Sequence, residues 1–305
     1  MIIVVAPGQG SQTPGFLEPW LELEGAREEL AKLSAAADVD LEIHGTVSDA
    51  DTIRDTAIAQ PLIVAAGLLT ANALSTTGHL SRVDGFAGHS VGEFTAAATA
   101  GVLAPEDALR LVGIRGRAMA EAAALVPTGM SAVIGGDEAE VLSCLQRDGL
   151  APANYNGGGQ LVVAGPLAGL AALADNPPAG ARVIPLQVAG AFHTAYMSSA
   201  VETLRNAADS VQASNPSKTL WTNNDGSTVS SGQTFVELLV GQVSSPVRWD
   251  LCMNAFADAG VTGIIELAPA GALIGLAKRA LKGVPTVAVK TPDDLVAARE
   301  LIDSL

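Results

Sequence analysis

Basic residues are scarce in this sequence: 17 Lys and Arg stand against 32 Asp and Glu, a formal net charge of -15 over 305 residues. That balance excludes nucleic acid and an anionic membrane as principal partners, since both demand a dominant basic surface. Any acidic partner must meet a local basic patch. Cysteine is scarcer still. Cys144 and Cys252 stand in helix-like segments with neither metal nor redox spacing, so no disulfide framework or metal site is expected and a reducing compartment fits. Long hydrophobic runs are missing too. The N-terminal "MIIVVAPGQG" has no basic flank and too short an apolar run for a signal peptide or a bilayer span, and "PLIVAAGLLTANAL", interrupted by Gly67 and Asn72, reads as a buried helix. The expected location is therefore cytoplasmic. Low-complexity tracts and repeats are absent, and no linker announces a boundary. What remains is 49% hydrophobic, ample for a large core in one big domain or two unequal ones.

Apolar runs of strand length alternate with segments of helical period, the pattern of a parallel sheet covered by helices. Strands are expected at Ile2 to Ala6, Val83 to Ala87, Gly263 to Ala268 and Thr286 to Val289, and helices at Gln60 to Thr76, Pro105 to Leu125, Thr194 to Ala213 and Gly271 to Leu281. One block departs from this order. Between Gly129 and Val188 the elements read strand (Met130 to Ile134), helix (Glu138 to Arg147), strand (Ala151 to Tyr155), strand (Gln160 to Ala164), helix (Leu167 to Ala174) and strand (Arg182 to Val188). That βαββαβ order is the ferredoxin-like motif. The expected architecture is a large α/β-hydrolase-like domain, residues 1–127 and 190–305, with a small ferredoxin-like α+β subdomain inserted at 128–189.

"FAGHSVGEFTAA", residues 86 to 97, places Ser90 between two glycines, after a strand and before a helix ending in glycine. This G-x-S-x-G context is that of a nucleophile elbow: a tight turn lifts the hydroxyl clear of the sheet, and the helix N-terminus offers free N–H groups to a developing oxyanion. A plain strand-to-helix turn with Ser90 as cap is the bland alternative. A base is then needed. His193, in "VAGAFHTAYM", stands where the small block hands back to a helix; His44 and His79 sit in polar surroundings, and His89 packs beside the elbow. An unperturbed imidazole there would titrate near about 6.5.

The loop "APGQGSQ" lacks both the lysine of a P-loop and a complete G-x-G-x-x-G. Its better use is to bring the Gln9 amide to the oxyanion beside that of Val91, unless it is merely a turn. Arg115 stands out on the helix from Pro105, where one face reads Ala108, Leu111, Val112, Arg115, Met119, Ala122, apolar at every other member. A buried guanidinium must be paired. It is either a structural ion pair with a protein carboxylate or a fork awaiting a substrate carboxylate.

Taken together, "PGQGSQ" at 7 to 12, "AQPLIVA" at 59 to 65, "GHSVGEFTAA" at 88 to 97, "RGRAM" at 115 to 119, "NYNGGGQLVVAG" at 154 to 165, "GAFH" at 190 to 193, "QVSSPVRWD" at 242 to 250 and "ELAPAGALIGLAKR" at 266 to 279 give the chain a nearly end-to-end likeness. It resembles malonyl-CoA:acyl carrier protein transacylases and the acyltransferase domains of polyketide synthases. The resemblance implies ping-pong transfer of malonyl from malonyl-CoA to acyl carrier protein, without metal or redox cofactor, for fatty acid or polyketide synthesis. It gives Ser90 as nucleophile, His193 as base, Arg115 as partner of the malonyl carboxylate, the amides of Gln9 and Val91 as oxyanion donors, and the backbone carbonyl of Gln242 as orienter of the histidine. Phe192 matches the bulky residue of malonyl-selective relatives, or is simply core. The sequence departs from relatives at Ala268 and Ala270, where glycine is frequent, and at Gly157 and Gly158, where a proline-glycine pair is common. For carrier docking the candidate patch is Lys278, Arg279 and Lys282, against an ordinary solvated helix end. Two rivals stand beside this reading: a serine thioesterase or esterase on an α/β-hydrolase core, and a non-catalytic carrier-protein or oligomerisation module.

Overall fold

The computed structural model describes residues 1–304. Among them, two five-stranded sheets organise the chain. The first contains β1 (Ile2–Ala6), β2 (Gly85–Gly88), β7 (Thr219–Leu220), β9 (Gly263–Glu266) and β10 (Thr286–Ala288), in the order β10-β9-β1-β2-β7 with every pairing parallel. The second contains β3 (Thr128–Gly135), β4 (Ala151–Gly157), β5 (Gln160–Pro166), β6 (Ala181–Pro185) and β8 (Val247–Arg248), in the order β6-β3-β5-β4-β8.

The parallel sheet is buried on both faces, which is why β1 reads as an unbroken apolar run. Alternation along the strand then divides the core. Ile2, Val4 and Ala6 join the cluster packed by the Thr56–Ser75 and Pro105–Leu125 helices. Ile3 and Val5 face the opposite cluster, built on Trp249, Cys252 and Phe256 of the Trp249–Asp258 helix and Leu273 and Leu276 of the Ala272–Ala280 helix. The Thr56–Ser75 helix is long and apolar enough to cross a bilayer, yet 78% of its most apolar window is buried in the protein. It starts a turn before the expected Gln60, because the Asp55 side chain caps it by accepting from the Ala57 amide.

The inserted block has the expected βαββαβ order, and all pairings among β3, β4, β5 and β6 are antiparallel, with β5 lying between β3 and β4. This split arrangement agrees with a ferredoxin-like subdomain. Asp137 caps the Glu138–Asp148 helix at its start, and Gly149, at φ 68°, ends it. One face of the small sheet packs Val133, Leu161 and Val163 under this helix and the Leu167–Asp175 helix. The period of two turns Met130, Asn154, Asn156, Gln160 and Val162 the other way, onto a cavity shared with the large sheet.

Two expectations need correction. The last strand of the block stops at Pro185 instead of Val188, and the residues after Leu186 leave the sheet to wall the cavity. The single helix expected from Thr194 to Ala213 is a 3-10 turn (Ala195–Met197) followed by an α-helix over Ser198–Ala208. The Thr194 hydroxyl accepts from the Tyr196 amide there, which starts the turn and fixes the chain just after His193. A further addition was not foreseen: β8, from the large half, pairs in parallel with β4 and extends the small sheet.

Candidate active site

Ser90 follows β2 and precedes the Gly92–Thr99 helix, with φ 53° in the left-handed region. Such a conformation in a non-glycine residue costs on the order of 1–3 kcal/mol and persists only where its surroundings impose it. Here they do. A Cβ on Gly88 would stand 2.1 Å from the Gly92 carbonyl carbon, and one on Gly92 would stand 2.2 Å from the Ala6 carbonyl oxygen. The two glycines let strand, turn and helix cross at contact distance. The Ser90 amide donates to Asn223 Oδ1 at 2.7 Å, and Asn223 Nδ2 donates to the Gly88 carbonyl at 2.7 Å, so one side chain clamps the elbow from below.

The fold brings His193 to the serine across a long stretch of chain: Ser90 Oγ lies 2.7 Å from His193 Nε2. His193 Nδ1 lies 2.9 Å from the backbone carbonyl of Gln242, at the end of the Gly232–Gln242 helix. A carbonyl only accepts, so Nδ1 carries the ring proton and Nε2 is left to accept from the serine hydroxyl. The tautomer required of a general base is therefore fixed by the backbone. The expected titration near 6.5 is corrected: burial, and then the positive charge of Arg115, push the His193 imidazole down to about 3. It stays neutral and able to accept a proton throughout the range in which an exposed histidine would protonate.

Arg115 is 1% exposed and opens on the same cavity as Ser90 and His193. It makes no ion pair with a protein carboxylate among the described residues. Its two terminal nitrogens donate to neutral amide oxygens, one to Gln60 Oε1 and one to Gln242 Oε1 at 3.0 Å, while its buried Nε has no partner. The Phe94 ring lies beneath, 5.9 Å from the guanidinium carbon. Burial lowers the guanidinium to about 10, still charged at neutral pH, with the Glu93 carboxylate opposing the shift.

The first loop and the elbow meet at the same cavity, which Gly8, Gln9 and Val91 help to line. Among the described residues the backbone amides of Gln9 and Val91 have no hydrogen-bond acceptor, while the Gln9 side chain is tied to the Arg54 carbonyl at 3.0 Å and to the Thr56 hydroxyl at 3.1 Å. His89 packs under the elbow, with Nε2 2.9 Å from Asn156 Oδ1 and its ring edge-to-face with Trp249. Phe192 belongs to the main core and to the cavity wall at once. The cavity holds about 390 Å³. Arg279 lines its mouth and, with Lys278 and Lys282, is exposed. The helix stops at Ala280, so the i+3 and i+4 helical spacing expected to bring Lys282 beside Arg279 and Lys278 is not present: Lys278 and Arg279 are sequence neighbours in the last turn, and Lys282 lies past the end.

Several polar side chains of this site went unread in the sequence, among them Gln60, Glu93 and Asn223. Glu93 was within reach of the reasoning applied to Arg115. It is a lone charge in the small and apolar run "EFTAAATA", and it is 1% exposed.

A serine hydrogen-bonded to a buried histidine on a parallel α/β scaffold defines a class, and the sequence as a whole narrows it: the chain belongs to the acyl transferase domain family, which it matches over residues 3–294. A malonyl CoA-acyl carrier protein transacylase of Mycobacterium tuberculosis is 52% identical over 296 residues, spanning 97% of this chain and 98% of that protein. The crystal structure of MCAT from Mycobacterium tuberculosis shares the fold with a TM-score of 0.96 at 51% identity, covering 98% of this chain and 99% of that one. A solved complex of a type II PKS acyl-carrier protein with its malonyl-transacylase matches with a TM-score of 0.90 at 28% identity, over 98% of this chain and 99% of that one.

Proposed function

We propose that this chain carries a malonyl group from malonyl-CoA, through an ester on Ser90, to the phosphopantetheine thiol of an acyl carrier protein. The observation that carries the reading is a charged guanidinium, Arg115, buried without a carboxylate partner in the cavity that holds the Ser90–His193 pair. A thioesterase of simple acyl groups has no use for that charge, and a non-catalytic module has no use for the fixed histidine tautomer. In the first half-reaction His193 Nε2 takes the hydroxyl proton as Ser90 Oγ bonds to the thioester carbon. The amides of Gln9 and Val91 donate to the oxyanion, and collapse breaks the C–S bond, with His193 returning its proton to the leaving sulfur. The second half runs in reverse with a new thiol. The carrier's phosphopantetheine sulfur gives its proton to His193 and attacks the ester carbon, and Ser90 Oγ leaves with that proton.

Arg115 contributes twice on this reading. It pairs with the malonyl carboxylate, and that pairing offsets the charge that depresses His193, so the base strengthens when the fitting substrate is bound. Phe192 restricts the acyl α-carbon, and Arg279 at the cavity mouth, with Lys278 next to it in the chain, meets a carrier protein of acidic surface. The division into residues 1–127 with 190–305 and an inserted 128–189 belongs to the same proposal, as does a cytoplasmic location. The test is direct. Incubation with malonyl-CoA should add one malonyl mass to the peptide holding Ser90, and an added carrier protein should remove it. Ser90→Ala should abolish the adduct and lower kcat by on the order of 10⁴ to 10⁶, as loss of one member of such a unit does. A malonyl adduct on the alanine variant overturns the assignment.

A further inference from the structure

Glu93 touches neither the Ser90 hydroxyl nor the His193 ring by any hydrogen bond, yet it is 1% exposed at the heart of the site. Its two oxygens accept from two different parts of the chain. Oε1 takes the Asn223 backbone amide at 2.6 Å, and Oε2 takes Nε2 of the Gln242 side chain. The second contact has a consequence for direction. A carboxylate can only accept, so it holds the Gln242 amide with nitrogen inward, and Gln242 Oε1 is thereby presented to the Arg115 terminal nitrogen at 3.0 Å. The backbone carbonyl of this same Gln242 orients His193.

A first-turn acid is a common helix stabiliser, but that role calls for no burial and no N–H partners from other elements. Among the described residues Glu93 forms no ion pair of its own. The positive charge it answers is Arg115, reached through one intervening amide.

We propose, on the reading of Arg115 as the malonyl clamp, that Glu93 is a positioning residue: acting through Gln242, it sets the guanidinium for the acyl carboxylate and so helps determine acyl selectivity. Burial pushes Glu93 up and Arg115 down, and each charge opposes the other's shift; the N–H donors on both Glu93 oxygens and the nearby guanidinium favour the carboxylate form through which the relay works.

Glu93→Gln keeps the volume and replaces one acceptor with an N–H donor. The Gln242 amide must then flip to accept from it, which turns its nitrogen toward Arg115, donor against donor. The Asn223 contact also weakens and slows both substrates, so the ratio of malonyl to acetyl acylation of Ser90, measured on one preparation, isolates the arm that runs to Arg115.

Glu93→Gln should lower that ratio by about ten- to a hundredfold, the range associated with a hydrogen bond to a charged group. In an Arg115→Ala background the same change should leave the ratio where Arg115→Ala alone puts it. A proportional fall in both substrates, or an effect that persists without Arg115, overturns the proposal. Should Glu93→Gln fail to fold, Gln242→Met carries the test, because it breaks the relay at its middle and keeps the backbone carbonyl on His193; an unchanged ratio there refutes it equally. If Arg115→Ala itself leaves the ratio unaltered, the clamp reading falls. If Arg115→Ala collapses the ratio and Glu93→Gln does not, Glu93 alone is struck out.

Discussion

Replacing Arg115 by alanine separates a malonyl transferase from a general serine acyl enzyme. The wild-type guanidinium is 1% exposed, has amide partners on both terminal nitrogens and keeps an unpartnered Nε. On the proposed reading, removing it leaves the malonyl carboxylate without a partner at a buried position. Breaking a buried pair from one side costs about 3–5 kcal/mol. At about 1.36 kcal/mol per tenfold, malonyl acylation should fall by roughly 10² to 10³·⁵ in kcat/KM. Acetyl-CoA has no carboxylate and escapes that loss. It should hold or gain, since in the wild type it enters beside an unpaired charge. The substitution also bares the Gln60 and Gln242 amide oxygens, at about 1–3 kcal/mol each, while relieving the protein of a buried charge. A melting curve must therefore accompany the kinetics. Rapid-quench acylation with both thioesters on one preparation gives the answer, because unfolding lowers the two rates together. Proportional losses refute the clamp and return Arg115 to a structural role.

Other outcomes follow from the same geometry. Since the proposed base must be neutral and burial with the Arg115 charge holds His193 at about 3, kcat/KM for acetyl-CoA, which has no carboxylate for Arg115 to hold, should stay flat from pH 8 down to about pH 5; a fall centred near 6.5 refutes the buried neutral base. Gly88→Ala forces a Cβ to within 2.1 Å of the Gly92 carbonyl carbon and should destabilise the protein by ~3 kcal/mol or more in denaturant titration, so an unchanged midpoint contradicts the packed elbow. Reversal of Lys278 and Arg279 to Glu should raise the carrier KM, more so at low salt, with malonyl-CoA acylation unaffected; a carrier KM that does not move puts docking elsewhere.

The parts of the protein legible in the sequence are those whose chemistry is local. The elbow announces itself because both glycines flank Ser90 in the chain and Gly88 answers a contact with Gly92 only four residues on, although Gly92 itself makes room for Ala6 at the end of β1; the βαββαβ block could be read because its first helix carries its own start and stop, Asp137 and Gly149. Arg115 showed through because charge on an apolar stripe is improbable without a partner. What escaped depends on distant segments meeting. The two-residue strands β7 and β8 exist only through pairing with β2 and β4. Gln60 and Asn223 are neutral amides, common at surfaces, and nothing in their neighbours marks them as buried. The proton affinity of His193 was misjudged for the same reason: it is set by burial and by Arg115, neither visible from "GAFH".

The strand that crosses between the two halves bears on protein engineering. β8 pairs Val247 with Asn154 and Arg248 with Tyr155, and the Arg248 amide also donates to the Asn223 carbonyl at 2.8 Å, under the elbow. The Arg248 guanidinium stacks 4.5 Å from the Tyr155 ring centroid and pairs with Asp250. A chimera that exchanges only residues 128–189 between relatives, in order to graft a new acyl preference, would carry β4 away from the strand that completes its edge. The imported β4 would meet a foreign Val247–Arg248, and the strain would arrive at Asn223 and, through it, at the Ser90 amide. A transplant that respects this seam takes residues 242–250 along with the insert, so that the turn holding Ser90 and its new cavity wall come from one parent.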